Sequence, residues 1–203
     1  MTNTVSWANK PNYYNQNMSH IAIISSSVRT GRKSDRVALY FKTYIESNNL
    51  ATVEILDLAE YNFPLFDERL RHQKNPSVAM LDFATKIKTS DGVLIVTPEY
   101  NGGYPASLKN VIDLLYDEWH RKPIAIATVS DGAFGGTQVI ISLQFSLWKI
   151  RAWTVPARFQ VSKVNESFDE NGKATDQAAT DKRAAEFIKE LLWCVVAKSK
   201  MVE

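Results

Sequence analysis

From residue 20 onward, short apolar runs alternate with longer stretches whose apolar positions recur at helical spacing. Residues 20–25 (HIAIIS) are continuously apolar, Ile-rich and too short for a helix, which predicts a buried strand. From Ser34, the residues Val37, Phe41, Tyr44 and Ile45 mark one face of a helix. Residues 51–56 (ATVEIL) predict a second strand. A loop with Pro64 follows, then a helix from about residue 76 with Met80, Phe83, Ala84 and Ile87 on its buried face. Residues 92–97 (GVLIVT) are the most hydrophobic run and predict a strand covered on both sides, the mark of a central strand in a parallel sheet. Pro105 then stands in a first helical turn, with Leu108, Val111, Ile112 and Leu115 as the buried stripe. Residues 124–129 (IAIATV) predict a fourth strand, Ile140, Leu143 and Leu147 the next helix, and residues 159–161 a short fifth strand. After a turn at Glu170, Asn171 and Gly172, the last helix carries Ala184, Phe187, Ile188, Leu191, Leu192 and Val195.

Five strands alternating with five helices through short connections require right-handed crossovers and a parallel sheet covered on both faces. The expected organisation is a tail over residues 1–19 and one α/β domain over residues 20–203. With 203 residues, 45% hydrophobic and 23% charged, the chain has the composition of a soluble globular domain. A net charge of +2, spread along the chain, argues against a nucleic-acid-binding stripe. One cysteine excludes an intramolecular disulfide. No stretch reaches the roughly 20 apolar residues of a membrane span. These features predict a cytoplasmic protein. Cys194, set among Trp193, Val195 and Val196, is expected to pack as a small hydrophobe. His20, His72 and His120 are scattered, and no metal site is visible.

In an open parallel sheet, ligands bind beyond the carboxyl ends of the strands, near the point where strand order reverses. Three loops of unusual composition fall there. After the first strand comes SSSVRTGRKS (residues 25–34), where hydroxyls, a glycine and guanidinium groups lead into a helix N-terminus, a setting for a single phosphate. The alternative is an ordinary Ser-rich loop with an N-cap at Ser34. The loop is neither a P-loop nor G-x-G-x-x-G, which disfavours ATP and a dinucleotide bound in the Rossmann manner. After the third strand comes TPEYNGGYP (residues 97–105), stiffened by two prolines and able to approach a flat, polar-edged ring closely. After the fourth comes SDGAFGG (residues 130–136), with three glycines in five residues.

On these loops the chain resembles the NADPH-dependent FMN reductase family, which includes flavin-dependent quinone, azo-dye and chromate reductases. The resemblance runs from about residue 20 to residue 196. The family's G-S-x-R segment is met by Ser26, Ser27, Val28 and Arg29, with Ser26 where the family has Gly, and Ser34 supplies the later hydroxyl. Pro98, Glu99, Tyr100, Asn101 and Gly102 match the P-E-Y-N-G segment, which borders the isoalloxazine ring in that family. Residues 104–110 (YPASLKN) are similar to the helix that follows. Ser130, Gly132, Gly135 and Gly136 match the loop that lies against the flavin and ribityl chain.

The resemblance implies a flavodoxin-like three-layer α/β/α fold with strand order 2-1-3-4-5. It implies FMN held by Ser27, Arg29, Ser34, residues 98–102, Ser130, Gly132, Gly135 and Gly136, with NADPH or NADH as co-substrate. The expected reaction passes hydride to the FMN and then electrons to a small acceptor (a quinone, free flavin, azo dye or metal oxyanion) by a ping-pong route. Backbone N–H groups of residues 99–102 are expected to steady negative charge on the reduced ring, and no side chain is assigned as acid or base. A homodimer or homotetramer is also implied, with residues 61–67 near a flavin or else packed in the core. The alternative is an electron carrier of the flavodoxin type. The first loop lacks the Ser/Thr-x-Thr-Gly-x-Thr form of those proteins, and the charge is mildly basic.

Overall fold

The apolar runs assemble one parallel sheet from β1 (His20–Ser25), β2 (Thr52–Asp57), β3 (Gly92–Pro98), β4 (Pro123–Val129) and β5 (Trp153–Val161). The computed structural model describes residues 18–201, so residues 1–17 of the expected tail lie outside the described residues. Strand order is β2-β1-β3-β4-β5, as the resemblance implies, and every pair is parallel. All seven residues of β4 and the first six of β3 are buried, which is why those runs read as continuously apolar.

The long helices are α1 (Ser34–Ser47), α3 (Val78–Thr89), α4 (Ala106–Leu114), α5 (Thr137–Lys149) and α7 (Gln177–Ser199). Two single-turn helices, α2 (Leu58–Tyr61) and α6 (Val164–Ser167), lie between them. The α1 and α7 stripes cover one face of the sheet, where Phe41, Phe159 and Phe187 pack together. The α3, α4 and α5 stripes cover the other, around Phe83, Trp119 and Leu108. Ser77 caps α3 by accepting from Met80 N at 3.2 Å. Cys194 is buried within α7, and burial, followed by Glu190, pushes its thiol pKa up. No helix among the described residues is long and apolar enough to cross a membrane.

Three details depart from the sequence expectation. The fifth strand spans nine residues rather than three. Between the pairs Ile124–Thr154 and Ile126–Arg158, it advances four residues while β4 advances two. That irregularity accommodates Pro156 on an edge strand, where a missing N–H is tolerated. The buried stripe of α5 is Val139, Leu143 and Leu147, with Ile140 only half-buried. Finally, residues 161–175, polar and turn-like in sequence and so expected to form a solvated excursion, are docked: Val164, Phe168 and Ala174 enter the core, and Arg36 Nη1 donates to the Phe168 carbonyl at 2.9 Å.

At the opposite end from the strand carboxyl termini, Lys122 is buried just before β4. Its Nζ donates to the carbonyls of Ser90 and, at 3.1 Å, Lys88, satisfying acceptors at the C-terminal end of α3. Burial, followed by repulsion from Lys198, lowers its pKa to about 8.

Candidate active site

The first loop leaves β1 with a run of buried serines. Ser26 N extends the ladder to Val96 O at 3.1 Å, and Ser25, Ser26, Ser27 and Ser34 are all 2% exposed or less. Lys33, not Ser34, occupies the N-cap position of α1, and it makes no side-chain cap. Ser34 is instead the first helical residue. Its Oγ, like that of Ser26, is buried without a partner among the described residues. Such orphans are costly unless something else satisfies them. Arg29 is exposed beside them. Arg32 is committed elsewhere, pairing with both carboxylate oxygens of Asp57 at 2.5 Å and donating to Ser27 O at 2.7 Å.

In the second loop, Tyr100 and Gly103 exchange backbone hydrogen bonds at 2.8 and 3.0 Å. Between them Asn101 (φ 52°) and Gly102 (φ 80°) both take positive φ, the geometry of a tight two-residue hairpin turn. Glu99 N is taken by Val129 O at 3.3 Å. Of the four N–H groups expected to steady a reduced ring, Glu99 and Tyr100 are therefore committed. Only Asn101 and Gly102 remain without a partner among the described residues. The Glu99 carboxylate accepts from Gln138 N at 3.1 Å, which fastens this loop to the N-terminus of α5.

The third loop lies beyond β4 and β5. Ser130 N donates to Val161 O at 2.9 Å, and Ser130 Oγ donates to Gly132 O at 3.0 Å. Thr128 Oγ1 donates to Gly135 O at 2.6 Å, and Gly136 is the N-cap of α5. A Cβ placed on Gly132 meets nothing within 4 Å, so protein packing does not demand a glycine there.

These loops are joined as well as adjacent. Ser27 Oγ meets Tyr100 Oη at 2.6 Å, linking first to second, and Glu99 links second to third. Beside the rim a cleft of about 210 Å³ is lined by Val28, Phe63, Leu65, Ser107 and Asn110, among others. Of the aromatics at residues 61–67, Tyr61 and Phe63 stack on each other at 5.1 Å and pack edge-on against Phe83. Burial and the hydrogen bond to Asp82 push the Tyr61 phenol up to about 12. Tyr61 belongs to the packing, and Phe63 also faces the cleft.

The sequence profile of the NADPH-dependent FMN reductase family matches residues 19–166. The chain belongs to that family. It is 36% identical over 137 residues to an NAD(P)H-dependent FMN reductase of Saccharomyces cerevisiae, covering 61% of this chain and 71% of the yeast protein. It is 32% identical over 179 residues to a quinone reductase of Pseudomonas putida, covering 81% of this chain and 92% of that enzyme. Its fold is similar to that of FerB, a flavoenzyme NAD(P)H:(acceptor) oxidoreductase from Paracoccus denitrificans. The TM-score is 0.70 at 22% identity, over 87% of this chain and 97% of FerB. Membership makes the chain an NAD(P)H-dependent oxidoreductase that works with FMN.

The residues present fit that cofactor. The first loop has buried hydroxyl donors lacking acceptors, as a phosphate-binding site would. The second presents two uncommitted N–H groups, and the third leaves open space at Gly132. The twelve residues singled out in the sequence fall on these three linked loops and their flanking element ends. Sequence reading missed Asp57, Ser107 and Gln138, which hold the loops from outside: Ser107 Oγ donates to Ser26 O at 2.5 Å. Their partners lie 25 to 81 residues away along the chain, so no local pattern marks them. Among the described residues, no group of three or more His, Cys, Asp or Glu is placed to hold a metal.

Proposed function

We propose that this protein moves hydride from NADPH or NADH to bound FMN, and then electrons to a small acceptor, by a ping-pong route. The acceptor class is a quinone, free flavin, azo dye or metal oxyanion. When bound, FMN supplies the redox chemistry, and the chain supplies position and electrostatics. The observation that carries this reading is the meeting, on one rim, of donor-rich loops with unfilled hydrogen-bonding capacity. Ser27, Ser34 and Arg29 hold the phosphate end. Pro98, Glu99, Tyr100, Asn101 and Gly102 would border the ring, with the unpartnered Asn101 and Gly102 N–H groups available to steady negative charge there. Ser130, Gly132, Gly135 and Gly136 would hold the ribityl side. Glu99 serves as a brace at the start of α5 and is assigned no proton-transfer role.

The protein acts in the cytoplasm as a homodimer or homotetramer. Supporting self-association, α5 exposes Ile141, Phe145 and Trp148 at 76, 71 and 64%, and Phe134 in the preceding loop is 86% exposed. Together these side chains present roughly 500 Å² of apolar surface, at the upper end for a monomer. Lys149 is the one charged residue in α5, so a second copy can approach without repulsion along most of the helix.

Initial rates with NADPH and a benzoquinone varied together test the reaction order. Parallel double-reciprocal lines are expected. Lines that intersect would show that both substrates bind before any product leaves, and the ping-pong assignment would fall.

A further inference from the structure

The Tyr100 hydroxyl is the one phenol that reaches out of the second loop into the first. Its backbone is locked by the paired hydrogen bonds to Gly103, which restricts where the ring can point. The oxygen meets Ser27 Oγ at 2.6 Å across 73 residues of chain. Ser27 Oγ also accepts from Arg29 N at 3.3 Å. Two hydroxyls joined by one hydrogen bond carry two protons, and the bond uses one. Whichever oxygen donates, one proton is left without an acceptor among the described residues. In the same loop and the adjoining first turn of α1, the buried Ser26 and Ser34 hydroxyls also lack partners. Counting Ser26, Ser34 and the Ser27–Tyr100 pair, three hydroxyl protons of this corner have no acceptor among the described residues, and an anion would supply one.

We infer that the Tyr100 hydroxyl belongs to the phosphate-binding set, bridging to Ser27, instead of lining the ring edge with the rest of its loop. The inference rests on the function proposed above and moves one residue from the ring end of the site to the phosphate end. It also couples the two loops, because the residue that senses the phosphate is anchored in the hairpin that borders the ring.

The test is Tyr100→Phe in the full chain freed of flavin, titrated separately with FMN and with riboflavin, which lacks the phosphate. FMN affinity is expected to fall about tenfold, the size of one lost hydrogen bond to a charged group, while riboflavin affinity stays unchanged. Equal losses for both flavins would place the hydroxyl at the ring and overturn the inference, as would no loss for either. A second readout needs no flavin: the rise in thermal midpoint caused by inorganic phosphate. That rise is expected in the wild type and absent in Y100F. An equal rise in both proteins, or none in the wild type, overturns the inference. A wild type that binds neither flavin contradicts the function proposed above, and a phosphate effect that Y100F abolishes still upholds the Tyr100 assignment.

Discussion

Arg32 and Asp57 have side chains 19% and 13% exposed, intermediate between a screened surface pair and a fully buried one. The pair joins the end of β2 to the first loop, and Arg32 also holds the Ser27 carbonyl. Asp57→Asn keeps the shape and removes the charge. We expect unfolding free energy in urea to fall by about 1–2 kcal/mol, with weaker FMN binding alongside. Unchanged values would reduce the pair to a solvent-screened contact. Lys122 makes a prediction in pH. Its pKa is lowered to about 8 in the folded protein against 10.5 ordinarily, so between those values the unfolded chain binds more protons. Stability from this group therefore rises as pH climbs from 8 to 10.5, by on the order of 3 kcal/mol. The Cys194 thiol and the Tyr61 phenol, both pushed up, act in the opposite direction above about pH 9. The measurement is accordingly the difference between wild type and Lys122→Met across this window, and a flat difference would contradict it. At this scale the sequence conveyed residue types well and partners poorly. Ser34 was legible as a hydroxyl at a helix start, but its lack of a partner depends on Lys33 taking the cap position.

Elements with an uninterrupted pattern were legible almost to the residue: β1 runs from His20 to Ser25, as its apolar run predicts. Where a pattern is broken, length was lost. Pro156 and the charged Arg158 interrupt β5, and only its last three residues read as a strand. The turn before α7 was visible as Glu170-Asn171-Gly172, but its docking was not. Gly172 sits at φ +79°, and a Cβ there would lie 2.6 Å from Arg36 O and 2.7 Å from Tyr40 N. Neither atom can yield, because both belong to the α1 backbone. Gly172→Ala is expected to cost at least about 2 kcal/mol of stability. The turn packs on the α1 backbone at Arg36 and Tyr40, so the loss is read as a lower midpoint of urea unfolding, and an unchanged midpoint would contradict it.

For the whole molecule, the fold class and the rim proposed to carry the site follow from strand alternation, because the switch point is a property of topology. The identity of the cofactor followed from the residues 98–102 segment and its flanking loops. The proposed self-association draws on the α5 stripe, which the sequence does not distinguish from a buried one, since exposure is settled only in three dimensions. Phe145→Glu places a charge in the centre of the α5 stripe. If that stripe is the contact between copies, sedimentation should shift toward a monomer with the far-ultraviolet dichroism unchanged. An oligomer of undiminished mass would assign the contact elsewhere.

The central claim is that the three linked loops hold FMN and that a reduced nicotinamide reduces it. The most direct measurement is the visible spectrum of the purified protein, recorded before and after anaerobic addition of NADPH. The account predicts the paired absorption bands of oxidised flavin, native or restored by added FMN, and their bleaching by NADPH. A colourless protein that takes up no added FMN, or a yellow one that neither NADPH nor NADH bleaches, would contradict it.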